Sequence, residues 1–156
     1  MSFEARLKEL GIELPEVPQP VAAYVPYVVV DGFVFTAGQL PVADGKVRYT
    51  GRVGAELTVE EGREAARLCA LNCLTVVRAA AQSLDNVIRL VKVTGFIASA
   101  PDFYGQPQVL NGASELLGAV FGPAGQHARA AVGVTALPLG AAVELEMVVK
   151  VRVKIS

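Results

Sequence analysis

The side chains able to do chemistry in this sequence gather near its end. His127 and Arg129 lead into a run of small residues, and Glu144 and Glu146 follow. Successive side chains leave an extended backbone on opposite faces. Arg129, Ala131, Gly133 and Thr135 therefore share one face, and Ala130, Val132, Val134 and Ala136 the other. Arg129 stands above a floor of small residues, with room beside it for a planar anion that it can grip with two parallel hydrogen bonds. The same pattern suits an edge-strand arginine that keeps a sheet soluble, and the pattern alone leaves both readings open. His127 could act as a base, but no nucleophile is evidently paired with it, so it reads as structural or exposed. Glu144 and Glu146 read as a polar sheet face. Cys69 and Cys73 lie one turn apart on a predicted helix. With one histidine in the chain they make no zinc set, and they read as buried reduced thiols of a cytoplasmic protein.

The elements that must position these groups follow in order. Residues 2–10 predict a short helix, capped by Ser2 and ended by Gly11. A proline-rich extended lead-in comes next, with Pro15, Pro18, Pro20 and Pro26. Asp31 and Gly32 sit between two β-rich runs, a type I′ hairpin signal. Residues 38–41 break the strand, and Asp44 with Gly45 makes another turn. Thr58 and Glu61 form a capping box for a helix running to about Gln82. Its second half is nearly all apolar or small, apart from Asn72, Thr75 and Arg78, so it is covered on more than one side. Residues 87–98 predict a strand, with Val91, Val93 and Gly95 opposite Leu90, Lys92 and Thr94. Pro107 opens a second helix. Its stripe is Val109, Leu110, Ala113, Leu116, Leu117, Val120 and Phe121, with Asn111, Ser114 and Glu115 off it.

Residues 127–156 predict two strands joined by a bend at residues 137–140. In the second, Val143, Leu145, Met147, Val149, Val151, Val153 and Ile155 face one way. Glu144, Glu146, Val148, Lys150, Arg152 and Lys154 face the other. The order predicts an α+β fold, a mixed β-sheet with two helices packed on one face. The open face is expected to carry both Arg129 and Glu144. A simple hairpin of the last two strands would set Arg129 opposite Val148 and Glu144 about 13 Å away. A shifted register, a water or a neighbouring chain would be needed to bring them together.

At 156 residues the chain predicts a single domain over 1–156, with 1–23 as N-terminal helix and lead-in. It is 53% hydrophobic and 19% charged, yet has no apolar run long enough to span a membrane. The surplus apolar surface predicts a homo-oligomer. A net charge of −1 with no basic cluster beyond Lys150, Arg152 and Lys154 argues against nucleic acid as a partner. The start shows no secretory signal, and a cytoplasmic location is expected.

The segment from Arg129 through Leu137 and Pro138 to Glu144 and Glu146 closely resembles the signature of the Rid family. These are the reactive intermediate deaminases, also called RidA/YjgF and long labelled L-PSP endoribonuclease. The signature is an arginine, a short β run, Leu-Pro, and a glutamate fifteen positions after the arginine, as here. Pro26, Tyr27 and Val28 resemble the family's early Pro-Tyr segment, and residues 36–42 its Thr-Ser-Gly-Gln-Ile-Pro-Val segment. The resemblance spans roughly Tyr24 to Val153, and the extra N-terminal helix suggests a longer, divergent branch. It implies a chorismate-mutase-like fold and a homotrimer with a site in each cleft between subunits. It implies hydrolysis of enamine and imine intermediates, such as 2-aminoacrylate, to 2-keto acids and ammonia, with no cofactor and no metal. Carried over by position, Arg129 would hold the substrate carboxylate and Glu144 would orient or activate water. Tyr27 and Asn111 would line the cleft, with Gly38 at its wall. The family's pocket serine falls at Ala37 and its pocket cysteine at Ala131. Those two losses motivate a second reading, a non-catalytic module binding small carboxylates; the inherited endoribonuclease label is the weakest.

Overall fold

Local signals fix the elements where they stand. In the computed structural model, which describes residues 2–17 and 23–152, Ser2 Oγ accepts the N–H of Ala5 and caps α1 (Phe3–Glu9), and Gly11 takes φ +70 just beyond it. Asp31 (φ 50) and Gly32 (φ 78) turn β1 (Tyr27–Val30) into β2 (Phe33–Thr36). Asp44 and Gly45 do the same between β3 (Val42–Ala43) and β4 (Lys46–Val47). The Thr58–Glu61 capping box, present in both directions, opens α2 (Val59–Ala81). There follow β5 (Val87–Ala98), α3 (Gln106–Phe121), β6 (Ala128–Val134) and β7 (Val143–Val151). Pro18 and Pro20 of the lead-in, and Val153, Lys154 and Ile155 of the last predicted strand, lie outside the described residues. Among the described residues no helix is long and apolar enough to cross a membrane.

The main sheet has the order β1-β2-β7-β5-β6. β6 is parallel to β5, because α3 carries the chain back over the sheet between them, as a strand–helix–strand crossover must. β7 runs antiparallel to both β5 and β2. The last two strands are therefore not a hairpin, contrary to the sequence expectation: β5 lies between them. The bend at Pro138–Gly140, with Leu139 at φ 60 and Gly140 at φ 73, leads across the end of β5, where Ala98 N–H donates to Ala142 O at 2.9 Å. A second correction concerns β5. Register shifts between Val87 and Arg89 and between Leu90 and Lys92 break its alternation. Leu90 and Val93 both enter the core, where strict alternation would have put them on opposite faces.

α2 and α3 cover one face of this sheet, as expected. Val34, Leu90, Val93, Ile97, Leu145, Met147 and Val149 lie buried beneath them, and every residue of the α3 stripe is buried. The three polar exceptions on α2 each tie down a different segment. Asn72 Nδ2 donates to Leu40 O (2.9 Å) and Val42 O (3.1 Å), fixing the connection after β2. Thr75 Oγ1 donates to Pro15 O (3.0 Å), fixing the lead-in. Arg78 donates to both oxygens of Glu4 and so docks α1. Burial pushes the Glu4 carboxyl up. The hydrogen bonds from Arg78, Leu84 N–H and Ser83 and the Arg78 charge outweigh it and hold the group below the usual carboxylate range.

α3 is seated on α2 by close backbone approach. A Cβ at Gly112 would run into Arg63 O on α2, and one at Gly62 would press on Val109. Gly112 is the immediate neighbour of Asn111 and two residues from Ser114, so this contact sets where those polar groups stand. Glycine to alanine inside a helix normally stabilises by about 0.5–1 kcal/mol. Gly112→Ala should instead destabilise by about 1–3 kcal/mol, the cost of forcing packed elements apart. Chemical denaturation measures the sign; a gain in stability would show that the two helices are not held at this distance.

Candidate functional site

Arg129 sits on the outermost strand β6, in register with Val93 of β5. Val93, Gly95 and Ile97 face the helices, so Arg129, Ala131 and Gly133, their partners across the parallel pair, face the same way. A Cβ at Gly95 would meet Leu110 of α3, which confirms the direction. The alternation read from sequence holds, but the direction does not: Arg129 points toward α3 and not to the open face. The reason is the polar side of α3. Asn111 Oδ1 accepts from Arg129 Nη1 at 2.8 Å, Ser114 Oγ accepts from the same nitrogen at 3.2 Å, and Pro107 O accepts from Nη2 at 3.4 Å. Spacings of three and four along a helix put these acceptors on one face.

Of the five guanidinium N–H groups, three are thus engaged. Nε–H and one Nη2–H keep no acceptor among the described residues, and Arg129 is only part-buried. Such a pair along one edge of a guanidinium matches the two oxygens of a carboxylate. The arginine is held from behind and open in front.

Glu144 lies elsewhere. It pairs with Phe96 on β5, on the face opposite Leu145 and Val143, whose side chains are in the core. Arg129 and Glu144 therefore occupy opposite faces of the sheet and flank β5 from either side. Strand spacing and rise put their Cα atoms about 14 Å apart. Glu144 rests against Gly38: any Cβ there would collide with its carboxyl group. Residue 38 is brought over β7 by Gln39, whose N–H donates to Leu145 O (2.8 Å) and whose O accepts from Leu145 N–H (3.0 Å). Burial, and next the Glu146 carboxylate, push the Glu144 carboxyl above the usual range.

Tyr27 begins β1, paired with Thr36, and Ala37 N–H donates to Pro26 O at 2.8 Å. The predicted site residues thus form two groups. Arg129, Asn111 and Ala131 gather at the β6 edge. Tyr27 and Ala37 lie on the β1–β2 side of the sheet, and the chain after Ala37 brings Gly38 against Glu144 over β7, on the open face. With the order β1-β2-β7-β5-β6, four strand spacings, about 19 Å, separate the two edges. One chain brings the members of each group together and does not bring the groups to each other.

Sequence reasoning missed one contact. His127 Nε2 is 3.0 Å from Ser114 Oγ, and His127 Nδ1 is 2.6 Å from Gly125 O. The available signal was the placement of Asn111 and Ser114 three apart on the polar side of α3. Cys69 and Cys73 are buried free thiols, and burial pushes both well above the ordinary thiol range. Among the described residues no group of three His, Cys, Asp or Glu could hold a metal ion.

Comparison with known proteins places these features. Residues 4–150 match the model of the family described as "YjgF/chorismate mutase-like, putative endoribonuclease". Protein TCP17 of Trypanosoma cruzi is 47% identical over 149 residues, covering 95% of this chain and 93% of that protein. Among solved structures, Atu1372 of Agrobacterium tumefaciens, a protein of unknown function, is 44% identical. It superposes with a TM-score of 0.90, covering 96% of this chain and 92% of its own. E. coli TdcF, solved with bound serine, is 26% identical with a TM-score of 0.64, covering 88% and 94%.

Two outcomes test this geometry. Asn111→Ala removes a charge-assisted hydrogen bond, worth about 1.5–3 kcal/mol. It should lower stability in chemical denaturation by up to about that amount and leave the fold intact, because the bond links α3 to the β6 edge. Glu144→Gln tests the raised carboxyl. A carboxylate raised in the folded state favours folding only where it is protonated, so ionised Glu144 weakens the fold at neutral pH. The Gln variant should melt at higher temperature than the wild type at pH 7. The gap should close as the pH falls below the usual carboxylate range.

Proposed function

The chain belongs to the YjgF/chorismate-mutase-like family, and from that premise we propose that it hydrolyses reactive enamine and imine intermediates of the 2-aminoacrylate type to 2-keto acids and ammonia. The observation that carries this reading is the guanidinium of Arg129, braced by Asn111, Ser114 and Pro107 O with a free edge for a carboxylate.

In this reading the substrate carboxylate takes the Nε–H and Nη2–H of Arg129. The imine carbon is attacked by a water that gives its proton to Glu144. The proton passes to the departing nitrogen, so that imine and water become keto acid and ammonia. A raised carboxyl suits a group that must both take and return a proton near neutral pH. Imine hydrolysis has a low intrinsic barrier, so positioning and one proton-handling group suffice. The reaction calls for no cofactor.

The separation of the two groups of site residues makes the assembly part of the proposal. Copies of the chain form a homotrimer in which the β6 edge of one, with Arg129 and Asn111, meets the open face of the next on its β1–β2–β7 side, with Tyr27, Gly38 and Glu144. The open sheet face supports this, since Val28, Val30, Phe35 and Val132 are exposed there. The serine bound to TdcF supports a small amino-acid-like ligand. The location we propose is the cytoplasm.

A second reading keeps the site and drops the turnover. Ala37 and Ala131 supply no polar group at positions where the family has serine and cysteine, which favours a carboxylate-binding module without catalysis.

A coupled assay decides. An amino-acid oxidase generates the imine in situ, and release of the keto acid is followed. Wild type should accelerate release, and Arg129→Ala should lose at least about a hundredfold, as expected when a charge pair is truncated. The rate should fall on the acid side at a pH above the usual carboxylate range, and Glu144→Gln should abolish turnover while keto-acid binding persists. Carboxylate binding without acceleration, across several imines, would establish the module reading instead.

A further inference from the structure

On the far side of Arg129 from its free edge, Ser114, His127 and Gly125 form a connected chain. Gly125 O can only accept, so the 2.6 Å contact puts the ring proton on His127 Nδ1. Nε2 is then an acceptor, and Ser114 donates its hydroxyl hydrogen to it at 3.0 Å. Arg129 Nη1 donates into Ser114 Oγ from the other side at 3.2 Å. A hydroxyl bonded to a base that is itself oriented by a third group is the arrangement that activates a nucleophile. Here a cationic donor adjoins the attacking oxygen as well.

The cluster opens on a cavity of 370 Å³ lined by Ser114, Gly118, Gly122, Gly125, His127 and Arg129, among others. Three of those residues have no side chain, and nothing lies within 4 Å of where a Cβ on Gly118 would be. The cavity can admit a small planar group to Ser114 Oγ but offers few walls to hold a long one.

We propose that Ser114 is an acylatable nucleophile and that this cavity is a second site, hydrolysing esters of short-chain acyl groups. Ser114 Oγ attacks the ester carbonyl carbon while its proton passes to His127 Nε2. The carbonyl oxygen becomes an oxyanion beside the Arg129 guanidinium, whose Nη1 is 3.2 Å from Ser114 Oγ, and the positive charge of that group stabilises it. The tetrahedral centre collapses, the ester C–O bond breaks, and the alcohol leaves with the proton from His127. Water then repeats the sequence on the acyl-serine, returning free Ser114 and a carboxylic acid.

The test uses the full chain with p-nitrophenyl acetate and with a fluorophosphonate probe, neither of which passes through imine hydrolysis. Failure of the deaminase reading therefore leaves this one standing, and the reverse. Peptide mass mapping should find the phosphonate on Ser114 of the wild type. Ester hydrolysis should be at least about a hundredfold faster than in Ser114→Ala, the scale of general-base activation. Labelling of Ser114 should be at least about a hundredfold slower in His127→Gln than in the wild type, since the base that takes the hydroxyl proton is gone. A folded wild type that takes no probe at Ser114, or that Ser114→Ala matches in ester hydrolysis, overturns the proposal. Wild-type labelling needs no variant, so the proposal stays open to refutation even if a variant fails to fold.

Discussion

The grip of α3 on the Arg129 guanidinium is the interaction on which the rest of this structure turns. An arginine at a sheet edge is ordinarily a long, mobile cation whose ordering costs side-chain entropy. Here three acceptors from one helix face hold it. That hold exists only because α3 lies where it does, pressed onto α2 at Gly112 and tied at both ends to β5 and β6 by the crossover. The crossover also explains why an edge strand can carry the site at all. β6 is covered on one face by the helix that precedes it, which leaves its outer edge for a partner or a ligand.

Most of the elements were legible in the sequence because their signals are local. Ser2, the Asp31–Gly32 turn, the Thr58–Glu61 box and the α3 stripe each act within a few residues of their own position, and each stands where the sequence predicts. What was not legible is non-local. Nothing within residues 127–156 tells β7 to pair with β5 and β2 and not with β6. The order strand, helix, strand from residue 87 to 134 was the available hint, since it predicts a parallel pair. The same error sent Arg129 to the wrong face. Its alternation was correct, but alternation gives two faces without saying which one a helix covers. The register shifts in β5 were hidden for a related reason, because a bulge shows only against the partner strand.

The polar residues of α2 show the opposite case, where an apparent flaw in a pattern has a structural use. Asn72, Thr75 and Arg78 interrupt an apolar half-helix, and each satisfies a carbonyl or carboxylate of a segment outside the main sheet and its two covering helices. A helix apolar all round would bind those segments without specifying how. The directed bonds of three side chains select one arrangement, and through Leu40 and Val42 that arrangement reaches the loop that sets Gly38 over Glu144.

The placing of Arg129 at one edge and Gly38 with Glu144 on the open face has a genetic consequence. In the proposed ring, each cleft takes the Arg129 edge of one chain and the Glu144 face of the next. A chain defective at its Arg129 edge spoils the cleft it faces on that side and still lends an intact Glu144 face to its other neighbour. Two alleles, each inactive alone and damaged on different sides, therefore hold between them every residue of a working cleft. Mixed in one assembly they complement, whereas two alleles damaged on the same side do not.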